Sequence, residues 1–549
     1  MSDAKQPLLV VGAGLGGMAA AIAAAELGFP VTLLEAGDKA GGAAAYSGGQ
    51  VWVGGNHVAA REGLEDDAEA TLAYVHAAAS RDETSVDSAL AEQWVHAAAE
   101  AARWFEQRGV IRWEVIPDYP DYYYPDLPGS RPRGRYLTGA PFDATSLGGD
   151  RPKLRVSPHF PVGVTYGEMF GWGGMSSRTE WNFKLIERRR EAGIVTFGTG
   201  IAGAFLKGVL DRGVDLRLSH RVAELLRDGD EVVGVRCEGG IEFEGPVVLA
   251  TGAHDWATAM TAEVTGIPTA DGGSVAPESI RGDGIGLATA VGAATAALPG
   301  WAAPVLPGYR VPEARFEGDS RYRACFEHCL PYTFLVNDRG ERFCDDSFHS
   351  RIVAAALAKD KRGKPSNLPI YMIWDSEHHE RYGLGATMPG GDYPDGLVRS
   401  AASLAGLAAQ FGLPAEALAA TAERFNEAAG DGVDLEFGRG TNLSVRRFRG
   451  DGNQEPNPCV GAVRQPPFYG MRIHLLSTGI AAVGVCAGSH GRVLDAEGTA
   501  IPGLWAAGEC AARAAAGVGY NSGYSLSRAM AYGFLAAHDI AASRVLPAA

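Results

Sequence analysis

Two unbroken apolar runs, Leu8 to Val11 and Val31 to Leu34, flank an alanine-rich stretch from Met18 to Leu27 that Gly28 ends. Short runs without polar alternation fit parallel strands buried on both faces, and the stretch between them fits a helix. Glu35 closes the second run, so one complete βαβ unit is predicted at the start of the chain. Val232 to Val235 and Val247 to Ala250 read as strands of a small sheet beside the first. Residues 110–165 are rich in Pro, Tyr, Gly and Asp and lack periodicity, which predicts a long, ordered, functional loop. From about 270 the pattern changes, with strand-like Tyr332 to Val336 and Ile370 to Trp374 and a helix over Ala415 to Ala429. The final stretch returns to strands and turns and ends in a helix from Ser525 to Ala542. A chain of 549 residues exceeds one simple core. The pattern divides it into 1–270 with 436–549, and an insert of 271–435.

Composition adds three points. The 74 glycines have no period, which suits a fold in which backbone approaches a ligand closely at many places. A net charge of −16 disfavours nucleic acid as a partner, and Arg188-Arg189-Arg190 reads as a solvated helix face. The seven cysteines show neither a disulfide framework nor zinc-ligand spacing, so reduced thiols and no metal are expected. No signal-peptide pattern and no bilayer-length apolar run is present, and a cytoplasmic, soluble protein is expected.

The chemistry begins at Gly12, Gly14 and Gly17, which match G-x-G-x-x-G. The first glycine allows the tight turn, the second admits a pyrophosphate, and the third lets helix and strand pack closely. A strand precedes them, a helix follows, and Glu35 stands where an acid meets ribose hydroxyls, so dinucleotide binding is expected. The choice between FAD and NAD turns on later segments. Gly41-Gly42 and Ser47-Gly48-Gly49 read as a loop pressed against a flat ring system, the alternative being a loop that merely turns. Leu504 to Glu509 is a buried strand ending in Gly508-Glu509, an acid suited to a ribityl chain, and Thr251-Gly252 supplies another turn beside the cofactor.

With these segments, Gly282-Asp283-Gly284 and the Asn337 to Phe343 hairpin, the chain resembles the flavoproteins that include fumarate reductase, the succinate dehydrogenase flavoprotein and the 3-ketosteroid dehydrogenases. The resemblance implies an α/β fold: a Rossmann-type FAD-binding domain with an inserted α+β substrate (capping) domain. It implies FAD held by Gly12, Gly14, Gly17, Glu35, Gly42, Ser47, Gly48, Val222, Gly252, Glu509, Ser525 and Leu526. Ala43-Ala44-Ala45-Tyr46 contains no His to attach a flavin, so FAD should be noncovalent.

On the substrate side, the His and Arg elements of the dicarboxylate enzymes are missing near Ser477 to Gly484 and near 517–524. The 3-ketosteroid dehydrogenases match better. Ala45-Tyr46-Ser47-Gly48 through Trp52 and Asn56 resembles one of their elements, and Pro120-Asp121-Tyr122-Tyr123 resembles the loop carrying an active-site tyrosine, which points to Tyr122. Tyr520-Asn521-Ser522-Gly523 is similar to the Δ4 type, with Tyr520 as base, Ser522 its partner and the Gly523 amide on the ketone oxygen. The Δ1 type spaces its Tyr and Gly one residue further apart. A further tyrosine of these enzymes would fall on Ser350, Phe348 or His349, and His349 is the replacement that could act as a base. The expected function is desaturation of a cyclic ketone, 3-ketosteroids first, with an unknown electron acceptor. Reduction of an activated alkene is the alternative, and flavin binding without turnover a third.

Overall fold

The computed structural model describes residues 6–80, 86–160, 163–312 and 322–545. Strand β1 (Leu8–Val11), helix α1 (Leu15–Glu26) and strand β2 (Val31–Leu34) form the expected βαβ unit, every strand residue buried. The helix starts earlier than the apolar pattern suggests, taking Gly16 and Gly17 into its first turn. A Cβ on Gly17 would lie 1.8 Å from the Gly12 carbonyl oxygen, so only a bare backbone lets helix and turn meet.

The central sheet runs Arg492–Leu494, Ala500–Ala506, Val247–Leu249, β1, β2, Asp215–Arg217, all parallel except the first pair. Val247–Leu249 is therefore a correction: it lies at the heart of this sheet, in register with Leu9 to Val11, and not in the small neighbouring sheet. That small sheet consists of Val222–Asp228, Glu231–Cys237 and Glu242–Glu244. A three-residue apolar strand looks the same in either place; its partners decide. The terminal helix Tyr524–Val545 lies against α1, and a Cβ on Gly533 would sit 2.3 Å from the Gly16 carbonyl, so small residues again set the approach.

A second sheet runs Tyr322–Ala324, Val305–Arg310, Phe468–Ser477, Ile370–Trp374, Thr333–Val336, with Gly272–Ser274 and Arg399–Ala401 also on Phe468–Ser477. Its longest and central strand comes from a segment that the sequence reading places with the nucleotide-binding part, so the division at 435 is crossed by strand pairing. Residues 110–160 are ordered around short strands, Trp113–Val115 and Tyr136–Gly139, with Tyr119 and Tyr136 buried; residues 161 and 162 of that loop lie outside the described residues. Arg188 to Arg190 sit on the helix Phe183–Glu191, none of whose residues is buried. The seven cysteines are free thiols. Among the described residues no helix is long and apolar enough to cross a membrane.

Replacing Gly17 by Ala should force the first turn of α1 off Gly12, with overpacking costs of about 1–3 kcal/mol. The expected outcome is a lower melting temperature and loss of bound flavin absorbance on purification.

Candidate active site

A cleft of about 780 Å³ opens at the carboxyl ends of the parallel strands and continues to the gap beneath the second sheet. Ligands of open α/β sheets settle at such strand ends. At this end the expected residues converge: Gly12, Gly14, Glu35, Gly42, Ser47, Gly48, Val222, Thr251, Gly252, Gly508, Glu509, Ser525 and Leu526 all line it.

Their local chemistry fits a dinucleotide. No side chain caps α1 at its N-cap Gly14, so the first-turn amides remain available to phosphate oxygens. A Cβ on Gly14 would meet nothing within 4 Å, while one on Gly42, whose φ is 51°, would lie 3.0 Å from the Gly14 α-carbon. Glu35 is oriented by accepting the Ala13 and Gly37 amides, each at 2.8 Å. Glu509 is held by the Ala481 amide at 2.9 Å and by Arg528 at 3.2 Å. The Thr251 hydroxyl accepts the Gly284 amide, and Asp283 of that turn pairs with Arg221.

Three expected contacts stand behind the wall instead. Gly17 packs on Gly12. Gly41 donates to the Ala13 carbonyl at 2.8 Å, and Gly49 lies against the backbone of Phe197, where a Cβ would come within 2.4 Å. They shape the cradle by admitting neighbouring backbone and do not line it.

The far end is aromatic. Tyr122 packs edge-on to Phe348 (5.6 Å between centroids), His349 (5.7 Å) and Tyr520 (6.1 Å), with His349 and Tyr520 6.3 Å apart. Tyr122, His349, Tyr520, Ser522 and Gly523 all line the cleft. His349 thus stands among the tyrosines where the sequence lacks one. Ser522 requires a correction: its hydroxyl donates to Gln50 Oε1 at 2.7 Å, and it is near enough to the Tyr122 phenol to favour that group's ionisation, whereas it is not among the groups that shift Tyr520. Adjacent side chains on an irregular loop diverge, so closeness in sequence to Tyr520 did not become contact. Gln50 Nε2 continues the chain to the Tyr119 hydroxyl at 3.4 Å.

Asn521 ties this corner together. Fully buried, it accepts the Tyr74 hydroxyl at 2.8 Å and the Tyr122 amide at 2.9 Å and donates to the Tyr136 hydroxyl at 2.5 Å. The Tyr122 carbonyl accepts from Asn442, which caps the helix Leu443–Arg449. Trp52 donates to Asp121 at 2.7 Å and so locks the two resembling segments together.

Burial dominates the electrostatics. It pushes the Tyr520 phenol up, with the nearby Tyr122 phenol and the Glu509 carboxylate adding to the rise and Arg513 and Arg449 opposing it. Tyr122 is pushed up by the same burial, with Arg449 and the Ser522 hydrogen bond pulling back. His349 is held well below the usual histidine range by burial first and by the Arg449 guanidinium and the neighbouring His328 ring after it, so it is neutral. Sequence reasoning missed Arg449, Gln50 and Asn521. Arg449 had a visible signal, an arginine flanked by Phe448 in a basic, aromatic run; the other two carry none outside the fold.

The family model described as FAD binding domain matches residues 8–526. The 4-oxocyclohexanecarboxylate 2-dehydrogenase of Sinomonas cyclohexanicum is 31% identical over 97% of this chain and 92% of its own length. A 3-oxosteroid 1-dehydrogenase of Mycobacterium tuberculosis is 28% identical over 97% of this chain and 98% of its own length. The crystal structure of 3-ketosteroid delta1-dehydrogenase from Sterolibacterium denitrificans in complex with 1,4-androstadiene-3,17-dione superposes with a TM-score of 0.87, at 28% identity, covering 98% of this chain and 99% of that one. The chain belongs to the FAD-binding-domain family of flavoproteins, and it is an FAD-dependent oxidoreductase.

Two outcomes follow from this geometry. Asn521→Ala strands the buried Tyr74 and Tyr136 hydroxyls and the Tyr122 amide, each worth about 1–3 kcal/mol when unsatisfied. A fall in denaturation midpoint, with weakened ketone turnover, is expected by urea titration and activity assay. The second concerns pH. Burial lowers His159 and His328 to about 3 and holds His349 well below its usual value, so unfolding lets each take up a proton near pH 6.5 that the folded state refuses. Stability present above about pH 6.5 is therefore lost as pH falls below it, by up to about 1.4 kcal/mol per unit per histidine. Urea midpoints measured from neutral to mildly acid pH should show this slope, and His349→Gln should flatten it.

Proposed function

We propose that this chain introduces a carbon–carbon double bond beside the carbonyl of a cyclic ketone, with steroidal and monocyclic ketones as the candidate class. The observation that carries the reading is the group of Tyr122, His349, Tyr520 and Gly523 at the apolar end of the cleft whose other end is the dinucleotide cradle. Held by the Gly12–Gly14 turn, the first turn of α1, Glu35 and Glu509, FAD would supply the acceptor for the hydride that leaves the β-carbon.

The protein's own residues manage the proton and the ketone. The Tyr520 phenol, raised by burial and therefore protonated, and the Gly523 amide donate to the ketone oxygen and stabilise the enolate that forms as the α-proton departs. Tyr122 takes that proton. To take it, the phenol, neutral at rest, passes the hydrogen it already carries to the neighbouring Ser522 oxygen and from there to solvent, and Arg449 steadies the negative charge that develops on Tyr122 meanwhile. His349, neutral, packs across both rings and holds their spacing. The apolar lining keeps water from the developing charge.

The test is anaerobic mixing of the FAD-loaded protein with a ring-saturated 3-ketosteroid, a Δ4-3-ketosteroid and cyclohexanone derivatives, following flavin absorbance near about 450 nm. Bleaching by a ketone is expected, and which compound bleaches identifies the bond desaturated. No bleaching by any of them, with reduced flavin reoxidised by an enone, would replace this reading by a reductase. Tyr122→Phe should keep the flavin spectrum and lower the bleaching rate about 100-fold, and Tyr520→Phe at least about tenfold.

A further inference from the structure

Arg449 ends the helix Leu443–Arg449 and is a part-exposed member of the cleft wall. Its guanidinium stacks over Phe326, 4.5 Å from the ring centroid, with the Phe448 ring at 5.8 Å. Among the described residues it forms no ion pair, and its Nη1 is buried without an acceptor. Its polar neighbours are the phenols of Tyr119 and Tyr122 and the thiol of Cys329, all driven to their neutral forms by burial.

Among the described residues, the other charged groups of this wall are engaged elsewhere. Arg178 is spent on the carbonyls of Gly385 and Thr387, and Arg323 donates to that of Tyr322. Glu327, the acid of the same wall, accepts the amides of Phe326 and Gly385. Buried guanidinium groups are ordinarily matched by a carboxylate or phosphate in fork geometry, because an uncompensated charge in an apolar setting is costly. A hydrocarbon substrate would leave Arg449 facing it unpaired and would deepen that cost by excluding water.

We infer that the substrate is a cyclic ketone carrying a carboxylate, and that Arg449 holds this carboxylate while Tyr520 and Gly523 hold the ketone across the ring. The inference rests on the desaturase reading and narrows its substrate class. The stacking on Phe326 fixes the plane of the guanidinium, so the substrate's acid group also sets which ring edge faces Tyr122. Binding energy from a group remote from the reacting carbons then orients the ring for proton removal.

The test compares 4-oxocyclohexane-1-carboxylate with its methyl ester on the FAD-loaded protein, by anaerobic flavin bleaching over a range of concentrations and by thermal shift. The wild type should favour the acid by at least about tenfold in rate at low concentration. Arg449→Met should bring the acid-to-ester ratio to near one, chiefly by raising the concentration needed, and should remove the thermal stabilisation given by the acid. Arg449→Lys should keep part of both. Each variant is first checked for its flavin spectrum; should Arg449→Met not retain flavin, the lysine variant and the wild-type ratio decide. Equal use of acid and ester by the wild type would overturn the inference while leaving the desaturase reading in place. Equal loss on both compounds in Arg449→Met would overturn it too, in favour of a role confined to tuning Tyr122. Bleaching by no ketone at all would overturn the desaturase reading and this inference with it.

Discussion

Asn521 is the contact on which the reactive corner depends. One side chain of 0% exposure joins the loop before the terminal helix to Tyr74, to Tyr136 and to the backbone of Tyr122. Those partners come from two other parts of the chain, the helix that carries Tyr74 and the 110–160 loop that carries Tyr122 and Tyr136. The amide group can do this because it offers a carbonyl with two lone pairs and an amino group at once, in one rigid plane. Its position between Tyr520 and Ser522 means that the same residue fixes the spacing of the side chains on either side of it in the cleft wall. A hydrocarbon of equal size would pack there but would leave the neighbouring hydroxyls unsatisfied.

A second constraint holds the opposite wall. Arg342 grips Asp434 with both terminal nitrogens at 2.8 Å, and Arg439 reaches Asp346 at 2.6 Å and the carbonyls of His328 and Leu330. Burial alone would push Asp346 up, yet the two guanidinium groups overcome it and hold the carboxyl below its usual range. This network ties the 328–330 turn to the segment that ends in Phe348 and His349. Desolvating such charges is repaid only with every partner in place, so the geometry is all-or-none.

These two anchors hold in place the phenols on which the proposed proton chemistry rests. The phenols of Tyr122 and Tyr520 are kept neutral by burial, while Ser522, Gln50 and the cations Arg449 and Arg513 bias how a proton is shared. The nucleotide cradle works by the opposite device, bare backbone and an uncapped helix end, because phosphates are recognised by amides and not by side-chain charge. The two ends meet because the central parallel sheet aims its carboxyl edge at the gap below the second sheet.

The cradle was legible in the sequence because its chemistry is local. Gly12, Gly14, Gly17 and Glu35 lie within one βαβ unit, and the turn, the close approach and the acid follow from spacing alone. The candidate residues Tyr122, His349, Tyr520, Ser522 and Gly523 were found by resemblance to motifs, and tertiary structure brought them to one cavity. What the sequence did not hold was pairing across distance. Ser522 turned out to bear on Tyr122, the strand Val247–Leu249 joined the central sheet, and Phe468–Ser477 became the spine of the second. Arg449 takes its setting from Phe326, Cys329 and Tyr122, all more than a hundred positions away, and among the described residues it forms no ion pair. Periodicity and motif spacing encode what a segment does with its own backbone; partners, burial and the balance of charge are properties of the packed whole, and only the tertiary structure decided them.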